Sequence, residues 1–83
     1  MKDRFETSDI YLAAYLLAAG HKLASVNGHD PQRVVFVLTP FPGPEELASY
    51  AEGKATVNVQ RFVSAERQLK RMVWAIRDGT EAR

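Results

Sequence analysis

Apolar and polar positions keep one clear period over residues 58–77, NVQRFVSAERQLKRMVWAIR. Phe62, Ala65, Leu69, Met72 and Ile76 recur there at alternating steps of three and four. At about 100° per residue they fall on one stripe of a helix, with Val73 at its edge. Asn58 precedes the periodic run, and its side chain suits an N-cap because it can accept a bond from an early helical N–H. Arg77 is expected in the last turn, with Gly79 just beyond it as the stop. A second helix is expected over residues 8–19, capped by Thr7, Ser8 or Asp9. This segment has almost no polar residue, so most of its faces must be covered. Ile10, Ala13, Ala14 and Leu17 form its tightest stripe. Tyr11 and Tyr15 stand one turn apart on a shared face, as rim residues or contacts to another molecule. Gly20 suits the left-handed residue that follows a helix.

Between the helices the period changes. Residues 21–26, HKLASV, and 33–38, RVVFVL, read as two strands, the second β-branched enough for a central position covered on both faces. The turn formers Asn27, Gly28, His29, Asp30 and Pro31 join them into a hairpin with a longer loop. TPFPGP over residues 39–44 breaks the second strand, and Pro44 with Glu45 and Glu46 opens a short helix to residue 52. Gly53 ends it. Residues 54–57 are expected as a short third strand on the hairpin edge. Residues 1–6 read as a loose start, with Phe5 folding back onto the body. The predicted fold is α+β, a small two-layer sandwich. Its order is helix, strand, strand, short helix, short strand, long helix, and an antiparallel hairpin is covered by the first and third helices. The expected organisation is one domain over residues 1–83, with its core at about 5–77 and a frayed end at 78–83.

Composition narrows this picture. The 83 residues include no cysteine, which removes disulfides and thiolate metal sites and fits a cytoplasmic setting. No stretch approaches the ~20 apolar residues that span a membrane, and the mixed charges of residues 1–7 do not fit a signal peptide. The net charge is +1, but it is unevenly spread. Residues 1–59 carry a balance of −2, residues 60–77 of +4 and residues 78–83 of −1. The positive end of the protein therefore lies on one helix.

Several pieces of the chain stand together as a pattern: Thr7-x-Asp9, Leu12-Ala13-Ala14-x-Leu16-Leu17, Gly20-His21-Lys22-Leu23, Val34-x-Phe36-Val37, and Val57-Asn58 followed by Phe62 and Leu69-Lys70. The chain resembles a family of short, single-domain bacterial proteins catalogued as a domain of unknown function. The resemblance covers about residues 5–75, and the Thr-x-Asp opening and the Gly-His-Lys-Leu turn are its most distinctive parts. It implies domain boundaries and no activity. Where many such relatives place a proline after the capping asparagine, this chain has Val59.

The candidate chemistry is sparse. His21 and His29 lie apart with no cysteine to join them, which does not make a metal site, and His21 reads as a helix-end residue whose charged form suits the dipole. Ser8, Ser25, Ser49 and Ser64 stand in no nucleophile turn, and the five glycines form no phosphate-cradling loop. Glu45 and Glu46 read as complements of a helix dipole. No cofactor, no membrane contact and no small-molecule ligand is expected, and the chain reads as a non-enzymatic binding protein. The sharpest signal is the helix face opposite the apolar stripe, where Val63, Arg67, Lys70, Arg71 and Trp74 lie together. Cations bind phosphates and an exposed indole stacks on bases, so the leading expectation is nucleic-acid binding through this helix. Trp and Arg also anchor protein interfaces. The alternative expectation is thus a protein-interaction or homodimerisation module using the same face.

Overall fold

The computed structural model describes residues 3–30 and 32–81, with side chains as far as Asp78. Its elements are β1 (Phe5–Thr7), α1 (Ile10–Ala18), β2 (Lys22–Asn27), β3 (Val35–Thr39), α2 (Pro44–Ala51) and α3 (Val59–Glu81). The three strands form one antiparallel sheet in the order β1-β3-β2, with α1 and α3 packed on one face. The fold is α+β. β3, the most β-branched and apolar strand, takes the centre as expected. Phe36 and Leu38 point into the helices and are 1% and 0% exposed. Val37 points to the other face, between Glu6 of β1 and Ser25 of β2, and is also buried.

The third strand is not where the composition placed it. Residues 54–57 form no strand, while Ala55 and Val57 pack on the core. The partner of β3 is Phe5–Thr7, with Phe5 opposite Leu38 and Thr7 opposite Phe36. The chain start thus folds back through Phe5, as expected, but as a paired strand. In β2 the letters KLASVN do not alternate. A register shift between Leu23 and Ser25 resolves this, so that Leu23 pairs with Leu38 and Val26 with Phe36. The extra residue lets two apolar side chains three apart both reach the core.

α1 is capped by Asp9, whose carboxylate accepts from the N–H groups of Tyr11 and Leu12. Thr7 Oγ1 in turn accepts from the Asp9 N–H at 3.0 Å. Burial on α1 is broader than one stripe: Ala13, Ala14, Tyr15 and Leu16 are consecutive and all buried, while Ile10 and Leu17 are half-buried. The sheet, α3 and α2 all draw on this helix. Tyr15 and Tyr11 part company here. Tyr15 is covered by the ring of Tyr50 from α2, with centroids 5.3 Å apart, and Tyr11 stays 49% exposed.

Burial first, and the Asp9 carboxylate second, raise the Tyr50 hydroxyl above the usual tyrosine value of 10.0. The unfolded chain therefore releases this proton first. Tyr50 stabilises the fold fully below that value, and the contribution is lost as pH rises through its higher folded one. Replacing Tyr50 with Phe should reduce the alkaline loss of stability, measured by denaturant unfolding at stepped pH.

The turn after α1 is pinned from two sides. Gly20 has φ +113°, a conformation that favours glycine. His21 follows, with Nδ1 2.9 Å from the Pro40 carbonyl oxygen and Nε2 2.9 Å from Glu46 Oε1. A carbonyl can only accept, so Nδ1 is the donor to Pro40, and Nε2 meets the Glu46 carboxylate. Glu46, expected only as a dipole complement, thus ties α2 to the start of β2.

α3 begins at its expected cap. Asn58 Oδ1 accepts from the Arg61 N–H at 3.0 Å. It does not stop at Gly79. The helix continues to Glu81, so Arg77 sits a turn before the end and residues 78–81 are helical. Residues 82 and 83, also expected to fray, lie outside the described residues. A helix interior tolerates glycine at a cost of about 1 kcal/mol, which the neighbouring turns can absorb. Near this end Ile76 presses on the loop after β2. A Cβ added at Gly28 would lie 2.7 Å from Ile76 Cγ2 and 2.9 Å from its Cδ1. Gly28→Ala should therefore cost about 1–2 kcal/mol by overcrowding, read from a lowered denaturation midpoint. Among the described residues no helix is long and apolar enough to cross a membrane.

Candidate functional site

The exposed face of α3 is fixed by what its other face buries. Ala65 and Leu69 are 7% and 0% exposed, and Phe62, Met72, Val73 and Ile76 pack around them. With that stripe against α1 and the sheet, helical geometry turns positions 63, 67, 70, 71 and 74 outward. The structure brings all five expected residues onto one surface. Arg67 and Arg71 are exposed, Val63 is half-buried, and Trp74 is 64% exposed. Among the described residues the Trp74 ring makes no stacking or cation–π contact.

The charges on this face are not equal. Lys70 Nζ lies 3.3 Å from Glu66 Oε2, one turn back along the helix. Its side chain is 47% exposed and that of Glu66 is 20% exposed. Such a pair contributes little to stability, yet it partly neutralises Lys70. Arg67 and Arg71 have no carboxylate partner among the described residues. Because α3 runs on past Gly79, Asp78 joins the face one turn beyond Trp74, where it is exposed. A negative charge therefore closes the basic face at its C-terminal end. The expected stop at Gly79 hid this, since it left Asp78 outside the helix.

The family model described as a domain of unknown function, DUF5659, matches residues 2–75. The chain belongs to the DUF5659 family. The match takes in every element from β1 to Trp74 and the face on α3 except Asp78. No curated protein and no solved structure matches this DUF5659 chain. Two concavities among the described residues lie on the flanks of α3, and Trp74 lines neither. A pocket of about 260 Å³ opens between α1, the start of β3 and the C-terminal half of α3, with Ile10, Arg33, Val34, Phe36, Val73 and Arg77 in its wall. A larger groove lies beside the N-terminal half of α3. No sequence period marks either of them, because each is assembled from three elements far apart in the chain.

Proposed function

We propose that this protein binds nucleic acid, single strands in particular, through the exposed face of α3, and that it does so in the cytoplasm and without catalysing a reaction. The observation that carries the reading is the 64% exposed Trp74, which stands one helical turn from Lys70 and Arg71 and two from Arg67, with Arg67 and Arg71 free of carboxylate partners among the described residues. An indole held outward on a rigid helix offers a π-face to an unstacked base, and flanking guanidinium groups suit phosphate oxygens. Helical packing fixes the backbone beneath these side chains, so little order has to be gained on binding.

Self-association through the same face is the other reading from the sequence. The surface argues against it. The apolar part is Trp74 and a half-buried Val63, and its surroundings are Arg67, Lys70, Arg71 and Asp78. Interface cores are depleted of charge, and two copies of this face would bring like charges together.

Binding should be strongly salt-dependent. With three phosphate contacts on a single strand, log K should fall with log salt at a slope of about −2, so a fourfold rise in salt weakens binding roughly twentyfold. Electrophoretic shift of a labelled single-stranded oligonucleotide across a salt series measures the slope. No shift at low salt with single- or double-stranded DNA or RNA removes this reading. If sedimentation then shows a dimer that Trp74→Ala converts to a monomer, the interaction reading replaces it.

A further inference from the structure

The groove beside the N-terminal half of α3 has a volume of about 850 Å³. That lies within the ~300–1,000 Å³ of small-molecule sites. Its floor holds Leu17 of α1 and Leu23 of β2. Its walls hold Lys22 from β2, and Arg61, Asn58 and Gln68 along α3. Among the described residues no carboxylate lines it. Both cations are exposed, and neither forms an ion pair among the described residues. Their origins differ, one on a strand and one on a helix, so the sheet and α3 must pack before the two share a cavity. The segments that bring Lys22 and Arg61 here are held firmly. Lys22 follows His21, which is bonded at both ring nitrogens, and Arg61 follows the Asn58 cap that its own N–H completes.

Chemistry selects the class of ligand. Two cations and no carboxylate reject a metal ion or an amine and favour an anion. Arg61 offers a planar fork of donors for phosphate oxygens, with Lys22 as a second charge. The side-chain amides of Asn58 and Gln68 add donors and acceptors for a polar organic body, and Leu17 and Leu23 offer it an apolar floor. We propose that this groove binds a small phosphate ester of nucleotide size, with the phosphate taken by Lys22 and Arg61. By helical phase Arg61 and Gln68 lie roughly 120–140° around α3 from Trp74, so the proposal does not rest on the nucleic-acid reading. No motif in the sequence announced it. The pieces around Leu17, Lys22-Leu23 and Asn58 are separate in the chain and meet only in the fold.

The test is a titration of the uniformly ¹⁵N-labelled chain with AMP, followed by amide shifts. Saturable shifts at Lys22, Leu23 and the backbone from Asn58 to Gln68 are expected. Lys22→Ala and Arg61→Ala should each weaken the binding by roughly tenfold or more, as loss of a charge-assisted contact does. Both side chains are exposed, and unchanged shifts elsewhere in the spectrum show that the variants fold. Trp74→Ala should bind AMP as the wild type does, and the two groove variants should keep their oligonucleotide affinity. Absence of saturable shifts with AMP overturns the proposal, as do shifts confined to the Trp74 face. Inorganic phosphate producing the same shifts with equal affinity overturns the assignment of an ester.

Discussion

Leu69→Ala is expected to destabilise the protein by about 2–5 kcal/mol, measured by chemical denaturation. Leu69 is 0% exposed and sits where α3 meets α1 and the sheet. Removing its side-chain methyls forfeits their transfer free energy and leaves a cavity, because the helix cannot move inward without straining the contact of Ile76 with Gly28. In a chain of 83 residues that loss is a large part of the total stability. Trp74→Ala supplies the contrast. The residue is 64% exposed, so truncating it should change stability by no more than about 0.5 kcal/mol. A loss below about 1 kcal/mol for Leu69→Ala, or a large loss for Trp74→Ala, would mean that the helix is turned the other way.

The second large effect is expected at His21. Its side chain is only 10% exposed and makes both of its hydrogen bonds to oxygen acceptors. His21→Ala removes both and leaves the Pro40 carbonyl and the Glu46 carboxylate to find water. Glu46 is 27% exposed and can rehydrate in part, so the cost should be about 1.5–3 kcal/mol and not the larger penalty of a stranded buried charge. Glu46→Gln should cost less, because a side-chain amide can still hydrogen-bond Nε2. α2 has no fully buried residue and is held to the body by the His21 pair and the contact of Tyr50 with Tyr15. Amide exchange in α2 should therefore speed up more than in α3 in the His21→Ala variant. Equal stability of variant and wild type would show that the imidazole contributes nothing to holding α2.

Legibility in the sequence followed the range of the interactions. The α3 stripe was readable because it repeats on one helix, and so was its opposite face. The Asn58 and Asp9 caps were readable because they act within three residues. β1 was not, since Phe5–Thr7 is three residues long and becomes a strand only because β3 offers it an edge. Residues 54–57 have strand-like composition, but β1 takes the second side of β3, and the segment packs on the core through Ala55 and Val57 instead. The register shift in β2 follows from Leu23 and Val26 both seeking the core, a tertiary demand that local pattern does not express. His21 and Glu46 stand 25 residues apart, so helix-end electrostatics was the nearest reading a local view allowed. At the candidate site the five residues of the face were legible from phase alone. The pairing of Lys70 with Glu66 was within reach of the same reasoning, as they are one turn apart. Asp78 is not legible as part of the face, because Gly79 reads locally as a stop while the helix runs on to Glu81. The groove of Lys22 and Arg61 needs three elements in place and left no trace in the linear pattern.

The reading of α3 as a nucleic-acid surface rests on Trp74, and the chain has no other tryptophan. Its intrinsic fluorescence therefore reports on that face alone. The direct measurement is a titration with a single-stranded oligonucleotide at low ionic strength, repeated after addition of salt. The expected result is saturable quenching, as the indole stacks on a base, that salt reverses and that the Arg67→Ala and Arg71→Ala variants weaken. Emission that stays constant in position and intensity through an excess of nucleic acid would contradict the account.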